Sequence, residues 1–159
     1  MKDILSLIAA VVALTVAGTA AAAPCSAANV AGTWSLVSVR SAEPGVEEFY
    51  ARAPYEWTRY TVNGDRVGMM YLASNRPKAS SAEIESSLTR ADEMDGVTYT
   101  VRWLRPPGRM LVLRDGQPFQ AFECAILDSP VGDARAGDML ITQIEGTPML
   151  RRVQRRVAP

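Results

Sequence analysis

Short segments in which apolar and polar residues alternate with a period of two follow one another after the first 30 residues of the chain. In VTYTVRWL, residues 97–104, Val, Tyr, Val and Trp share one face, and Thr, Thr and Arg share the other. This period is typical of β-strands with one buried face. The sequence predicts eight strands, at residues 32–40, 56–63, 66–73, 97–104, 109–114, 118–127, 138–144 and 148–157.

Turn-forming residues separate most of these strands. Asn63-Gly64 predicts a type I′ hairpin turn, since both residues accept positive φ. Pro106-Pro107-Gly108 and Asp115-Gly116 predict two more turns, and Glu145-Gly146 begins the last one. An open sheet of eight strands would expose two edges, and closure removes them. We therefore predict an all-β fold, an eight-stranded up-and-down antiparallel barrel.

One helix is predicted between the third and fourth strands. Ser80 with Glu83 forms a capping box, Ile84 and Leu88 recur on one face with Ala91, and a glycine at position 96 ends the helix. A single apolar stripe means that one side is buried, so we expect the helix to lie on the body of the protein. A helix of this kind could also plug one end of the barrel.

The first 28 residues predict a cleaved secretory signal peptide. Met1-Lys2 precedes a long apolar run that ends in small residues, and sites of the A-x-A type end at Ala22 and Ala28. An uncleaved membrane anchor is the alternative, because the run approaches spanning length. We therefore expect a periplasmic or secreted protein with its domain at residues 29–159, in contact with a membrane only through an uncleaved leader.

The chain has two cysteines, Cys25 and Cys124. In an oxidising compartment they could pair and attach the N-terminal segment to a strand. Alternatively, Cys25 leaves with the leader, and Cys124 is a small buried apolar residue. Lipidation of Cys25 is disfavoured, because the residues before it depart from the Leu-small-small pattern of bacterial lipoproteins.

Composition and motifs argue against several classes of function. The formal net charge is zero, which gives no electrostatic basis for nucleic-acid binding. Without histidine there is no histidine-ligated zinc or haem and no imidazole catalysis. The sequence also lacks a nucleophile elbow, a phosphate-binding glycine loop and a cysteine pair with metal spacing. We predict no cofactor and no metal, and catalysis has little support.

The segment VAGTWSLVSV, residues 30–39, resembles the first strand of the bacterial lipocalin-like family, calycin-type barrels with a Gly-x-Trp motif. The segment DMLITQIEGTPMLRRVQRR resembles the closing strands of such barrels. The resemblance implies that Gly32 lets the chain enter the barrel base closely and that Trp34 closes this base. It also implies that Arg152, or else Arg151, covers the indole. Classical lipocalins place their helix after the eighth strand, whereas here the predicted helix lies between the third and fourth strands.

An eight-stranded barrel is either filled by its own side chains or holds one small ligand. Aromatic and methionine walls would suit an apolar ligand. The residues expected to bind a ligand are Phe49, Tyr50, Tyr55, Arg59, Tyr71, Tyr99, Trp103 and Phe122. Three of them lie in the long segment of residues 41–55, which either covers the barrel as a lid or buries its own aromatic rings.

Inward-facing residues of the strands would add to the lining. The candidates are Met69 (or Met70 and Leu72 on the other face), Val101, Leu111 and Leu113. Arg59 could bind a carboxylate head group inside the barrel or lie on the solvent face. Glu123 is the carboxylate expected to be semi-buried, where an ion pair with an arginine of a neighbouring strand is favoured over a role as acid or base.

The sequence therefore predicts a secreted lipocalin-like protein that binds a small apolar or amphipathic molecule without a covalent bond. The alternative is a filled barrel whose loops bind a protein or a component of the cell envelope. An enzyme acting on an apolar substrate ranks third. An apolar cavity would favour the first function, and a solid interior with an exposed apolar patch would favour the second.

Overall fold

A computed structural model describes residues 22–144 and 150–158 of the 159-residue chain. In these residues the strands are β1 (Ala22–Pro24), β2 (Gly32–Ser41), β3 (Tyr55–Asn63), β4 (Arg66–Ser74), β5 (Tyr99–Leu104), β6 (Arg109–Arg114), β7 (Gln117–Leu127), β8 (Met139–Gln143) and β9 (Leu150–Arg156). The helices are α1 (Ala27–Val30), α2 (Val46–Ala51) and α3 (Ser81–Asp95). Strands β2 to β9 pair in chain order, and β9 pairs again with β2. They form a closed eight-stranded antiparallel barrel, to which β1 adds a short strand beside β7.

The eight predicted strands are the eight strands of the barrel, and their described ends agree with the prediction to within two residues. The predicted helix between the third and fourth of these strands is also confirmed. The leader up to residue 21, the Glu145-Gly146 turn and residues 148 and 149 lie outside the described residues. The sequence did not predict β1, α1 or α2, because these short elements have no periodic pattern of their own.

The first hairpin turn lies one residue later than predicted. Asn63 pairs with Arg66 as the last residue of β3, so that Gly64 and Asp65 form the two-residue loop. Of these two, only Gly64 has a positive φ, +62°, whereas a type I′ turn needs positive φ at both positions. The Asp115-Gly116 turn does meet that requirement, with φ values of +49° and +77°.

Helix α3 lies on the outer face of β3 and β4. Ser80 accepts a hydrogen bond from the amide of Glu83 at 3.2 Å, which caps the first turn. Ile84 and Leu88 are buried against Trp57 of β3 and against Met70 of β4. The helix therefore covers the side of the barrel and does not plug its end.

Trp34 forms the floor of the barrel at the end where β2 begins. Its ring is fully buried, and its indole nitrogen donates a hydrogen bond to the carbonyl of Val30 at 2.8 Å. The guanidinium carbon of Arg156 lies 4.3 Å from the centroid of this ring. Gly32 has φ +112°, and a Cβ there would come within 2.8 Å of Arg156 Nη1. The glycine therefore permits the close approach of the arginine to the strand.

The prediction that Arg152 or Arg151 covers Trp34 is wrong. The register of β2 and β9 pairs Trp34 with Arg156, whereas Arg152 is opposite Val39, near the other end of β2. Arg156 also donates to the carbonyls of Ala31 and Asn29. Strand β9 contains four arginines, and its register with β2 determines which of them lies over Trp34.

A disulfide joins Cys25 to Cys124 of β7, with 5.3 Å between their Cα atoms. Both residues are buried, and the amide of Cys25 donates to the carbonyl of Cys124 at 3.0 Å. Residues 22–24 pair with the last residues of β7 directly before this bridge. Cleavage after Ala28 would remove Cys25, whereas cleavage after Ala22 would retain it; which of the two occurs stays a prediction.

Asp138 is a buried carboxylate next to β8. It accepts hydrogen bonds from Arg155 Nε at 2.9 Å and Nη2 at 2.8 Å, and from the amide of Arg135 at 2.8 Å. Burial acts to raise the pKa of Asp138, but the hydrogen bonds and the charge of Arg155 outweigh it, so the pKa is lower than usual. The folded protein therefore holds this carboxyl group in its charged form.

Asp138→Asn is expected to lower the free energy of unfolding at pH 7 by about 2–3 kcal/mol, because it leaves Arg155 without its counter-charge. Since the folded-state pKa is depressed, the contribution of Asp138 is present above the unfolded pKa and disappears as the pH falls through the folded pKa. Urea denaturation at pH 7 and at successively lower pH should show the deficit shrinking. Asp133→Asn is the control, because solvent screens its half-exposed ion pair with Arg40. A deficit independent of pH would contradict this assignment.

Candidate functional site

A cavity of about 220 Å³ lies inside the barrel. Inward-facing residues of every barrel strand except β2 line it. The apolar and aromatic residues of its wall are Tyr60, Met69, Tyr71, Tyr99, Met110, Val112, Phe119, Phe122 and Ile141, and the polar ones are Thr58, Gln120, Arg152 and Gln154. Tyr71 and Phe119 are 41% and 47% exposed, so they mark the mouth of the cavity.

The alternation along β3 and β4 determines which side chains reach the cavity. Thr58 and Tyr60 point inward, whereas Trp57 and Arg59 occupy the opposite face of β3, beneath helix α3. Helix α3 packs against an apolar surface, and the outward-facing residues of β3 and β4 form this surface. Trp57 and Tyr60, three residues apart in β3, therefore have different environments.

Three of the predicted ligand-binding residues, Tyr71, Tyr99 and Phe122, line the cavity. The rings of Tyr99 and Phe119 lie 5.9 Å apart at one side of it. Tyr50 of α2 contacts the wall residue Arg152 from the segment of residues 41–55. Of the aromatic residues predicted in that segment, Tyr50 is the one that reaches the wall.

The other four predicted residues do not line the cavity. Phe49 is 65% exposed, and Tyr55 stacks on Trp57, with ring centroids 6.4 Å apart. Trp103 is half-buried and packs against the main core cluster. Arg59 donates to Glu85 Oε2 of helix α3 at 3.1 Å, so it lies on the outer face and does not reach a ligand inside the barrel.

The lining of β6 also differs from the prediction. Met110 and Val112 face the cavity, whereas the sequence favoured Leu111 and Leu113. The segment RMLVLR has apolar residues on both faces, so alternation alone does not distinguish the inner face from the outer one. In β4 the prediction of Met69 with Tyr71 is correct.

A buried ion pair includes the wall residue Arg152, and the sequence did not predict this pair. Glu56 is 2% exposed, and its Oε1 lies 3.4 Å from Arg152 Nη1. Arg152 Nη2 donates to the hydroxyl of Tyr50, and the guanidinium carbon lies 5.1 Å from the centroid of the Tyr50 ring. One feature of the sequence could have indicated this burial. Glu56 lies on the same face of β3 as Thr58 and Tyr60, and both of these face inward.

Burial and charge act in opposite directions on this pair. Burial raises the pKa of Glu56, although Arg152 and a hydrogen bond from Tyr71 oppose the change. Burial acts to lower the pKa of Arg152, but Glu56 and Tyr50 raise it above its usual value. Burial also raises the pKa values of Tyr60 and Tyr71, so both phenols are neutral. The site therefore holds a fixed positive charge beside a carboxylate.

Two polar atoms of the cavity wall are buried without a partner among the described residues: Arg152 Nε, a donor, and Gln154 Oε1, an acceptor. Gln154 uses its other polar atom, Nε2, to donate to Thr58 Oγ1 at 3.2 Å. Buried polar groups are usually hydrogen-bonded, so these two atoms are exceptions in the cavity wall.

The acidic residue singled out in the sequence, Glu123, has a structural partner. Glu123 is exposed, contrary to the prediction that it is semi-buried, and Arg109 of the neighbouring strand donates to its Oε1 at 3.1 and 3.0 Å. The predicted ion pair is thus confirmed. In residues 22–144 and 150–158, no three acidic or cysteine residues come together as a metal site. None of the described helices is long and apolar enough to cross a membrane.

No family model and no curated protein matches the sequence. Among solved structures, the chain is similar to one titled "REP1-NXSQ fatty acid transporter", with 14% sequence identity and a TM-score of 0.45. The match covers 83% of this chain and 98% of that chain. A likeness at this level carries no conclusion about family or ligand.

Proposed function

We propose that this protein binds one small apolar or amphipathic molecule, without a covalent bond, in the cavity of the barrel. The observation that carries the proposal is a cavity with an aromatic and methionine wall and a few polar groups on one side. That combination is typical of small-molecule sites, where the apolar wall provides affinity and the polar groups provide orientation.

The volume of the cavity limits the size of the part of the ligand that it encloses. An apolar cavity of about 150 Å³ holds benzene, so this cavity of about 220 Å³ suits an enclosed group about half as large again. A single ring with one polar substituent meets this limit. The cavity also weakens the alternative of a filled barrel that acts only as an interaction module, because the interior retains a space large enough for a ligand.

Export from the cytosol and a lipocalin-like ancestry form part of the same proposal. The apolar leader supports export, and the disulfide between Cys25 and Cys124 is of a kind that persists in oxidising compartments. The Gly-x-Trp motif at Gly32 and Trp34 supports the kinship. We propose cleavage after Ala22, which would keep Cys25 in the mature protein.

Two phenylalanines of different exposure test where the ligand binds. Phe119 lines the mouth of the cavity, whereas Phe49 is largely exposed outside it. Phe119→Ala is expected to weaken the binding of indole by about fivefold, since an aromatic contact contributes about 1 kcal/mol. Phe49→Ala is the matched control and should leave the affinity unchanged.

Isothermal titration of the purified protein and both variants with indole measures these affinities. Native mass spectrometry of protein taken from its own cells would identify a co-purifying ligand. Equal affinities for the two variants, or no binding of indole by the unchanged protein, would count against the proposed site.

A further inference from the structure

We infer that the cavity selects a neutral polar group that both accepts and donates a hydrogen bond, such as a carboxamide, in preference to a carboxylate. This inference rests on the proposed function and adds the class of head group that the site would take. It depends on three features of the wall: two unsatisfied polar atoms, a charge that is already balanced, and a small apolar volume.

The two unsatisfied atoms are of opposite kinds. Arg152 Nε–H is a donor and requires an acceptor, whereas Gln154 Oε1 is an acceptor and requires a donor. The residues alternate along β9, so both side chains are on the inner face, about 7 Å apart at their Cα atoms. A carboxamide offers its oxygen to the first atom and its N–H to the second. A carboxylate has no hydrogen to donate, so it would leave Gln154 Oε1 unsatisfied.

The charge of Arg152 is already balanced inside the protein. Glu56 Oε1 lies 3.4 Å from Arg152 Nη1, and Tyr50 occupies Nη2. A second carboxylate in the cavity would face the buried Glu56 with one guanidinium between them. It would also lose its hydration in a mainly apolar space, and this desolvation is costly for an ion without its own counter-charge. A neutral amide avoids both penalties.

A set of three one-ring probes separates these effects. Benzamide carries a donor and an acceptor, benzoate carries a negative charge and acceptors only, and toluene carries no polar group. Each should be titrated into the purified protein at pH 7.5, with calorimetry or NMR as the readout. We expect benzamide to bind at least about tenfold more tightly than either of the others, the effect of well-placed hydrogen bonds.

Two variants test the residues named. Gln154→Leu removes the acceptor at similar volume, so the advantage of benzamide over toluene should fall by about five- to tenfold. Glu56→Gln removes the balancing charge and exposes a ligand to the full charge of Arg152, so benzoate should now bind more tightly than benzamide. If Glu56→Gln does not fold, the three probes and Gln154→Leu still decide the question.

The possible failures are distinguishable. If benzoate or toluene binds the unchanged protein as tightly as benzamide does, the head-group inference is overturned, while the proposed binding in the cavity stands. An undiminished preference for benzamide in Gln154→Leu overturns it as well. If none of the three probes and no indole binds, the proposed function fails and the inference fails with it.

Discussion

Trp34→Ala is expected to lower the free energy of unfolding by about 3–5 kcal/mol, as truncation of a buried aromatic residue does. The side chain is fully buried at the base of the barrel. Its removal would leave a cavity there and leave the carbonyl of Val30 without the indole donor. Arg156 would also lose the ring over which it lies. Urea denaturation followed by far-ultraviolet circular dichroism measures the change.

Phe49→Ala is the control for this prediction, because it also removes an aromatic ring but from a position that is 65% exposed. Its effect on stability should be well under that of Trp34→Ala. Arg156→Lys should have an intermediate effect, since lysine keeps the charge over the ring but has no planar fork for the carbonyls of Asn29 and Ala31. Equal losses for Trp34→Ala and Phe49→Ala would show that Trp34 does not form the floor of the barrel.

Reduction of the disulfide between Cys25 and Cys124 is expected to cost about 2–5 kcal/mol. The two cysteines are 99 residues apart, and a bridge over so long a segment restricts the unfolded chain strongly, by about 4–5 kcal/mol in the chain-entropy model. The purified protein should therefore unfold at a lower urea concentration in the presence of a reductant. Its intact mass should rise on reduction by the mass of two hydrogen atoms, because each sulfur of the bridge becomes a thiol.

The double variant Cys25→Ala/Cys124→Ala is the control, because it has no bridge to reduce. It should be less stable than the oxidised protein, and the reductant should leave its stability unchanged. If reductant does not change the stability of the wild-type protein and both of its thiols can be labelled, the bridge is refuted. If Cys25 is missing from the intact mass, the proposed cleavage after Ala22 is wrong.

The aromatic residues illustrate how far the sequence predicts the site. Tyr71, Tyr99 and Phe122 line the cavity, as strand alternation and aromatic character together indicated, and their role in ligand binding stays a prediction. Tyr55 and Arg59 do not line the cavity. Both lie on the outer face of β3, which helix α3 covers, so residues of this face are partly buried outside the barrel. Which face of a strand is inner depends on what covers the other face, and the local pattern does not contain that information.

The ion pair of Glu56 with Arg152 also could not be predicted from the local sequence pattern. Each residue alone is typical of a solvent-exposed strand position, and a buried charge becomes tolerable only when a partner from a distant strand neutralises it. The two are 96 residues apart, and barrel closure brings them together. The sequence contained both charges but no sign that they would meet inside the barrel.

By itself the sequence determined the number of barrel strands, their order, most of their turns and the single long helix, because alternation, turn chemistry and capping act between residues close together in the chain. The tertiary structure alone decided that Arg156 covers Trp34, that Met110 and Val112 face the cavity, and that Glu56 balances Arg152. These outcomes depend on register between strands and on closure of the barrel, and a shift of one residue in register exchanges the inner and outer faces of a strand.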